Sequence, residues 1–198
     1  MLYFNLFPRT GGSFLDNLCS NVIRTEIAII REPERYKENI NQVVIFRNPY
    51  NAISSLIDRA RYQNFLKNKN SSWTNGIEKE IESRNDEYIR FIDLAIENFL
   101  NLHTGIFENV MENPIDFLKA AANRFDLKIK ERSDALDFAV ESLNSFHSAG
   151  QPIDYGHYVR EKDSNRLLIE EAVKNAECLK KSFDRYKIFA EMVKNDSN

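Results

Sequence analysis

The stretch FNLFPRTGGSFLDNLC (residues 4–19) decides how this chain is read. A short apolar strand runs into a glycine-containing turn and then into a helix whose Phe14, Leu15, Leu18 and Val22 share one face. In Pro8-Arg9-Thr10-Gly11-Gly12-Ser13 the glycines let the backbone turn tightly, and the helix that follows turns its positive end toward the same space. Arg9 adds a charged fork, and Thr10 and Ser13 add hydroxyls, a set suited to a 5′-phosphate or a phosphosulfate. The same residues also suit a plain turn with Ser13 as N-cap. The lysine of the common nucleotide loop, G-x-x-x-x-G-K-[ST], is missing.

Working outward, Glu26–Ile30 and Gln42–Arg47 read as further short strands, the latter a β-branched and aromatic run suited to a buried parallel strand. Pro49 opens a helix through Ala52, Ile53, Leu56 and Ile57, and the polar stretch 63–76 reads as a loop or broken helix. Residues 77–102 form an amphipathic helix, 104–108 a fourth strand, and 114–125 and 133–146 two more helices. A helix from about Ser164 closes the chain. Strands interleaved with helices predict a three-layer α/β/α sandwich around a small central parallel sheet, with residues 1–198 as one domain.

Composition sets the bounds. The chain has 198 residues, 42% hydrophobic and 29% charged, with 6 Gly and 5 Pro, which argues against long low-complexity segments. A net charge of −3 gives no general attraction to nucleic acid or to an anionic membrane, while leaving room for a local basic pocket. Cys19 and Cys178 form neither a metal motif nor a disulfide framework. The opening MLYFNLF lacks the basic flank of a signal peptide, and no apolar run approaches a membrane span, so a cytoplasmic protein is expected.

A second constellation, VVIFRNPYNAISSL (residues 43–56), places Arg47 at the carboxyl end of the third strand and Ser54 and Ser55 in the next helix. Ligands of open α/β sheets bind at that edge, where an arginine and a hydroxyl suit a second phosphate. Each of these residues taken singly also suits an ordinary surface or helix role.

Together, PRTGGSFL and FRNPYNAISS resemble the two nucleotide-binding motifs of sulfotransferases that use 3′-phosphoadenosine 5′-phosphosulfate. In that family P-K-[ST]-G-[TS]-[TS] holds the 5′-phosphosulfate, and R-N-P-x-[DE]-x-x-x-S holds the 3′-phosphate. The resemblance assigns donor binding to Arg9 (in place of the usual lysine), Thr10, Gly11, Gly12, Ser13 and Phe14, and to Arg47 and Ser55, with Asn51 replacing the frequent acid. GIFENVMENPIDFLKAAANRFDLKI is similar to the family's Y-E-D-L-x-x-[ND]-P segment, and the tail from Tyr158 resembles its closing R-K-G loop, which brings in Arg160 and Lys162 although the glycine is absent. The resemblance implies a P-loop-NTPase-like sulfotransferase fold and no metal, because sulfuryl transfer depends on positioning and charge stabilisation.

A base must take the acceptor's proton. Where many family members carry a histidine, AIIREPERY offers Glu32, with Glu34 nearby, and among the histidines only His157, in YGHYVRE, falls near the tail motif; His103 precedes the fourth strand. The acceptor is expected to be a small molecule or a glycan. RARYQNFLKNKNSSWTNG, with Phe65 and Trp73, is the acceptor-loop candidate, although the two rings equally suit packing of the loop, and a homodimer completing the site stays open. Two other functions stay open: a family member that binds nucleotide or a sulfated ligand without turnover, and a P-loop small-molecule kinase.

Overall fold

A computed structural model describes residues 1–6, 12–30, 40–130, 134–135, 137 and 164–196. The strand read from VVIF is its centre: β3 (Gln42–Phe46) is buried at every position. It lies between β1 (Leu2–Leu6) and β4 (Leu102–Ile106), and β2 (Ile27–Ile30) flanks β1, giving the order β2-β1-β3-β4. All three pairings are parallel.

Because successive strand residues face opposite ways, β3 feeds two cores. Val43 and Ile45 join Leu2 and Phe4 of β1, Leu15, Leu18 and Val22 of α1 (Gly12–Val22), and Leu118, Ala121 and Ala122 of α5 (Pro114–Arg124). Val44 and Phe46 point the other way, toward α2 (Pro49–Lys67), α3 (Ile77–Glu97), α6 (Ser164–Lys174) and α7 (Leu179–Asp196). Phe46 meets Tyr88 of α3 and Phe189 of α7 edge-on, with ring centroids 5.6 and 5.0 Å apart. Losing such a fully buried ring costs about 3–5 kcal/mol. The protein is therefore α/β, with a small parallel sheet covered by helices on both faces.

The elements near the carboxyl edge have local causes. Asn48 caps α2: its side-chain oxygen accepts the Tyr50 N–H at 3.0 Å, and Pro49 supplies the fixed first helical residue. α2 does not break in the polar stretch but continues through Lys67, so only residues 68–76 form the loop. Arg61 explains this. Its Nε donates to Glu80 at 2.9 Å, and its Nη1 donates to the carbonyls of Asn75 and Ser72 at 2.8 and 3.3 Å, so charge binds α2 to the loop and to α3. Gly76 turns into α3 at φ 68°, a conformation that favours glycine.

The α2–α3 hairpin rises on the carboxyl side of the sheet. α3 reaches the carboxyl edge at Tyr88, whose hydroxyl donates to the Arg47 carbonyl at 2.7 Å, and ends just before a 3-10 turn (Phe99–Asn101) that leads into β4. The helix from Ile77 to Tyr88 spans about 16 Å. The fourth strand begins two residues earlier than its sequence pattern suggests, and Phe107 already opens α4 (Phe107–Glu112). β4 and the helices after it fit closely at Gly105, where a Cβ would lie 2.6 Å from Val110 and 2.7 Å from Phe117. The closing helix is two, α6 and α7, while the helix expected over 133–146 lies largely outside the described residues.

Candidate functional site

The strand order defines where a ligand would sit. β1 is followed by β2 on one side, whereas β3 and β4 lie on the other, so the order reverses between β1 and β3. Open parallel sheets bind ligands outside the carboxyl ends at such a switch point. Leu6 pairs with Ile45, so β1 and β3 end side by side. Gly12, Ser13 and Phe14 open α1. Arg9, Thr10 and Gly11, expected in the phosphate loop, lie outside the described residues, as do Glu32, Glu34, His157, Arg160 and Lys162.

Arg47 follows β3 directly at this edge. Its guanidinium carbon stands 4.9 Å from the centroid of the Phe107 ring, a cation–π contact that fixes one face of the group. Nε is buried and has no hydrogen-bond partner among the described residues. An unmade hydrogen bond on a buried donor costs about 1–3 kcal/mol, so an arriving oxyanion would recover that loss. The Tyr88 hydroxyl pins the backbone at the same residue.

Three further charged or polar side chains shape the field. Burial pulls the Arg47 pKa down, the Glu108 carboxylate opposes this, and Arg166 of α6 lowers it further. Arg166 itself pairs with Glu170 at 3.1 Å. Tyr186 of α7 hydrogen-bonds to Glu108; burial first, and then that carboxylate, push the phenol up to about 12. Tyr88 is raised well above its usual value by burial, with Tyr186 and Glu108 adding to it. Arg47 and Arg166 thus bring positive charge to this edge, opposed by the Glu108 carboxylate.

Ser55 is half-buried on α2, one turn beyond exposed Asn51 on the same helix face. Ser54 donates to the Asn51 carbonyl at 3.3 Å. Glu108, Tyr186, Tyr88 and Arg166 were missed by sequence reasoning. Glu108 stood at the end of the stretch read as the fourth strand, and the others reach Arg47 only through the packing of α3, α6 and α7.

His103 lies within β4 rather than before it. Its ring sits 4.5 Å from Phe117, one ring nitrogen lies 3.2 Å from the Phe117 carbonyl, and burial lowers its pKa to about 4. It pairs with Val43, away from the carboxyl edge. Phe65 and Trp73 meet at 5.7 Å, and Tyr62 lies 6.4 Å from Trp73, so these rings pack the loop onto α2. No helix among the described residues is long and apolar enough to cross a membrane.

Comparison with family models, with curated proteins and with solved structures finds no match to this chain.

Proposed function

We propose that this protein is a small sulfotransferase-like enzyme with a P-loop-like nucleotide fold, which moves a sulfuryl group from 3′-phosphoadenosine 5′-phosphosulfate to a hydroxyl or amine. The observation that carries the reading is Arg47. It stands at the switch-point edge, stacked on Phe107, with its buried Nε donor unpartnered among the described residues. A 3′-phosphate would satisfy that donor through charge-assisted hydrogen bonds, with Ser55 as the second contact. Arg166 adds positive potential from α6.

In the proposed reaction the acceptor's oxygen or nitrogen forms a bond to sulfur while the bond from sulfur to the bridging phosphate oxygen breaks. The leaving product is 3′-phosphoadenosine 5′-phosphate, whose growing negative charge Arg9 would stabilise. The acceptor proton goes to Glu32, or to His157 if the acidic loop takes no part. A base of this kind contributes about 10²–10⁴-fold. The donor needs no metal in this scheme, since its moving group carries less charge than a terminal phosphate.

A second reading, nucleotide binding without turnover, is favoured by one specific feature: arginine replaces lysine in the first loop, and the two groups are not equivalent at a phosphate. A transfer assay with labelled donor over a panel of hydroxyl and amine acceptors separates the two. Turnover that falls at least about 10²-fold in Glu32→Gln, with nucleotide affinity kept, supports the enzyme and its base. Binding with no transfer to any acceptor supports the second reading. Mg²⁺-dependent ATP consumption would replace both with a kinase.

A further inference from the structure

The tip of the α2–α3 hairpin carries a polar cleft of ≈ 360 Å³, open to solvent, on the same side of the sheet as Arg47. Its lining is unusual in chemical type. The amides of Asn64, Asn68 and Asn75, the hydroxyls of Ser71 and Ser72, and the ammonium of Lys67 contribute, together with Arg61, and no carboxylate lines it. The nearest acid in the network, Glu80, is held by Arg61 at 2.7 Å.

The loop's own bonds brace these walls. Ser71 donates to the Asn64 carbonyl at 3.3 Å, the Ser72 hydroxyl accepts the Asn75 N–H at 3.0 Å, and the Asn68 side chain accepts the Asn70 N–H at 3.1 Å. The side-chain amides of Asn64 and Asn75 and the ammonium of Lys67 make no hydrogen bond to another described residue and stand exposed at the cleft, where a ligand can reach them. An amide both donates and accepts, which matches a hydroxyl, and an ammonium only donates, which matches an anion. Lys69 sits 4.6 Å over the Phe65 ring beside the cleft and adds positive charge.

We infer that this cleft binds a hydroxyl-rich anion of the acidic-sugar class, a carboxylate or sulfate beside a polyol. As an anchoring subsite for the remote part of an acceptor it rests on the transfer reading, and binding energy gained there would support chemistry at the sheet edge. As a binding site it stands on the cleft alone.

The test is a ¹H–¹⁵N NMR titration of the full chain with sodium glucuronate, glucose and sodium sulfate in parallel. Glucuronate is expected to move the side-chain amide signals of Asn64 and Asn75 and the backbone signal of Gly76. Glucose should bind about threefold more weakly, as should glucuronate with Lys67→Ala, the scale of one exposed charge pair. Arg47→Ala should leave the glucuronate response intact while weakening nucleotide binding, so failure of one site is read separately from failure of the other. Unmoved hairpin signals, equal responses to glucuronate and glucose, or a sulfate response as strong as that of glucuronate would each overturn the inference.

Discussion

Arg47 and Arg61 stand on the same β3–α2 stretch and are used in opposite ways. Arg61 spends its donors inside the protein, on Glu80 and on the carbonyls of Ser72 and Asn75, and so joins the two helices of a hairpin. Arg47 is partly buried and stacked on an aromatic ring, and its buried Nε has no acceptor among the described residues. Burying a cation without satisfying it works against folding. The difference separates an arginine that serves stability from one whose arrangement supports the proposed ligand role.

The contrast is broken most decisively by truncating each arginine. Arg47→Ala should weaken binding of 3′-phosphoadenosine 5′-phosphate by about 10- to 100-fold, the loss expected of a charged hydrogen bond, in isothermal titration. Its melting temperature should stay close to that of the parent, since Nε makes no hydrogen bond among the described residues. A large loss of stability with unchanged binding would make Arg47 a second Arg61.

Arg61→Ala should do the reverse. Removing the Glu80 pair and two carbonyl contacts is expected to cost about 1–2 kcal/mol in denaturant unfolding, after allowance for the partial exposure of the pair. Nucleotide affinity should not change. Glu80→Gln should show a smaller loss, because the carbonyl contacts survive.

Tyr88→Phe sharpens the comparison further. It removes one hydrogen bond to the Arg47 carbonyl and should cost about 0.5–1.5 kcal/mol of stability, with a modest loss of nucleotide affinity as the backbone at Arg47 loosens. Unchanged values in both measurements would show that Arg47 is positioned without α3.

The smallest effect concerns pH. The folded Tyr186 phenol holds its proton up to about 12, whereas an unfolded tyrosine releases it near about 10. The folded state therefore binds more protons between those values, and the stability from this group, complete below about 10, drains away as pH rises toward 12. Tyr186→Phe should flatten the alkaline limb of the stability profile between pH ~10 and ~12. An unchanged limb would mean that the buried Tyr186 phenol does not set this part of the profile.

What was legible in the sequence follows from how local each cause is. The β-branched run before Arg47 marked the central strand, and Asn48-Pro49 marked the start of α2 through capping chemistry that acts within three residues. Continuation of α2 to Lys67 was hidden because Arg61 sustains it by reaching Glu80 and the loop carbonyls rather than by an apolar stripe. His103 looked like a flanking residue because its burial depends on Phe117. The tail read as one helix, yet Lys174 and Leu179 bound a break between two, the first packing mainly on α2 and the second mainly on α3. At the candidate site, spacing singled out Arg47 and Ser55, and Arg47 stands at the carboxyl edge as expected. Tyr88, Glu108, Arg166 and Tyr186 were not readable in this way, because only tertiary packing brings them near Arg47.

The central claim is that Arg47 is kept for a 3′-phosphate, and one thermal-shift series without added metal tests it most directly. At about 100 times its dissociation constant, 3′-phosphoadenosine 5′-phosphate should stabilise the protein by about 2.7 kcal/mol. AMP, ADP and ATP at equal concentration should give less, and Arg47→Ala should erase most of the difference. Equal stabilisation by AMP and by the 3′-phosphorylated nucleotide, unchanged in Arg47→Ala, would contradict the account.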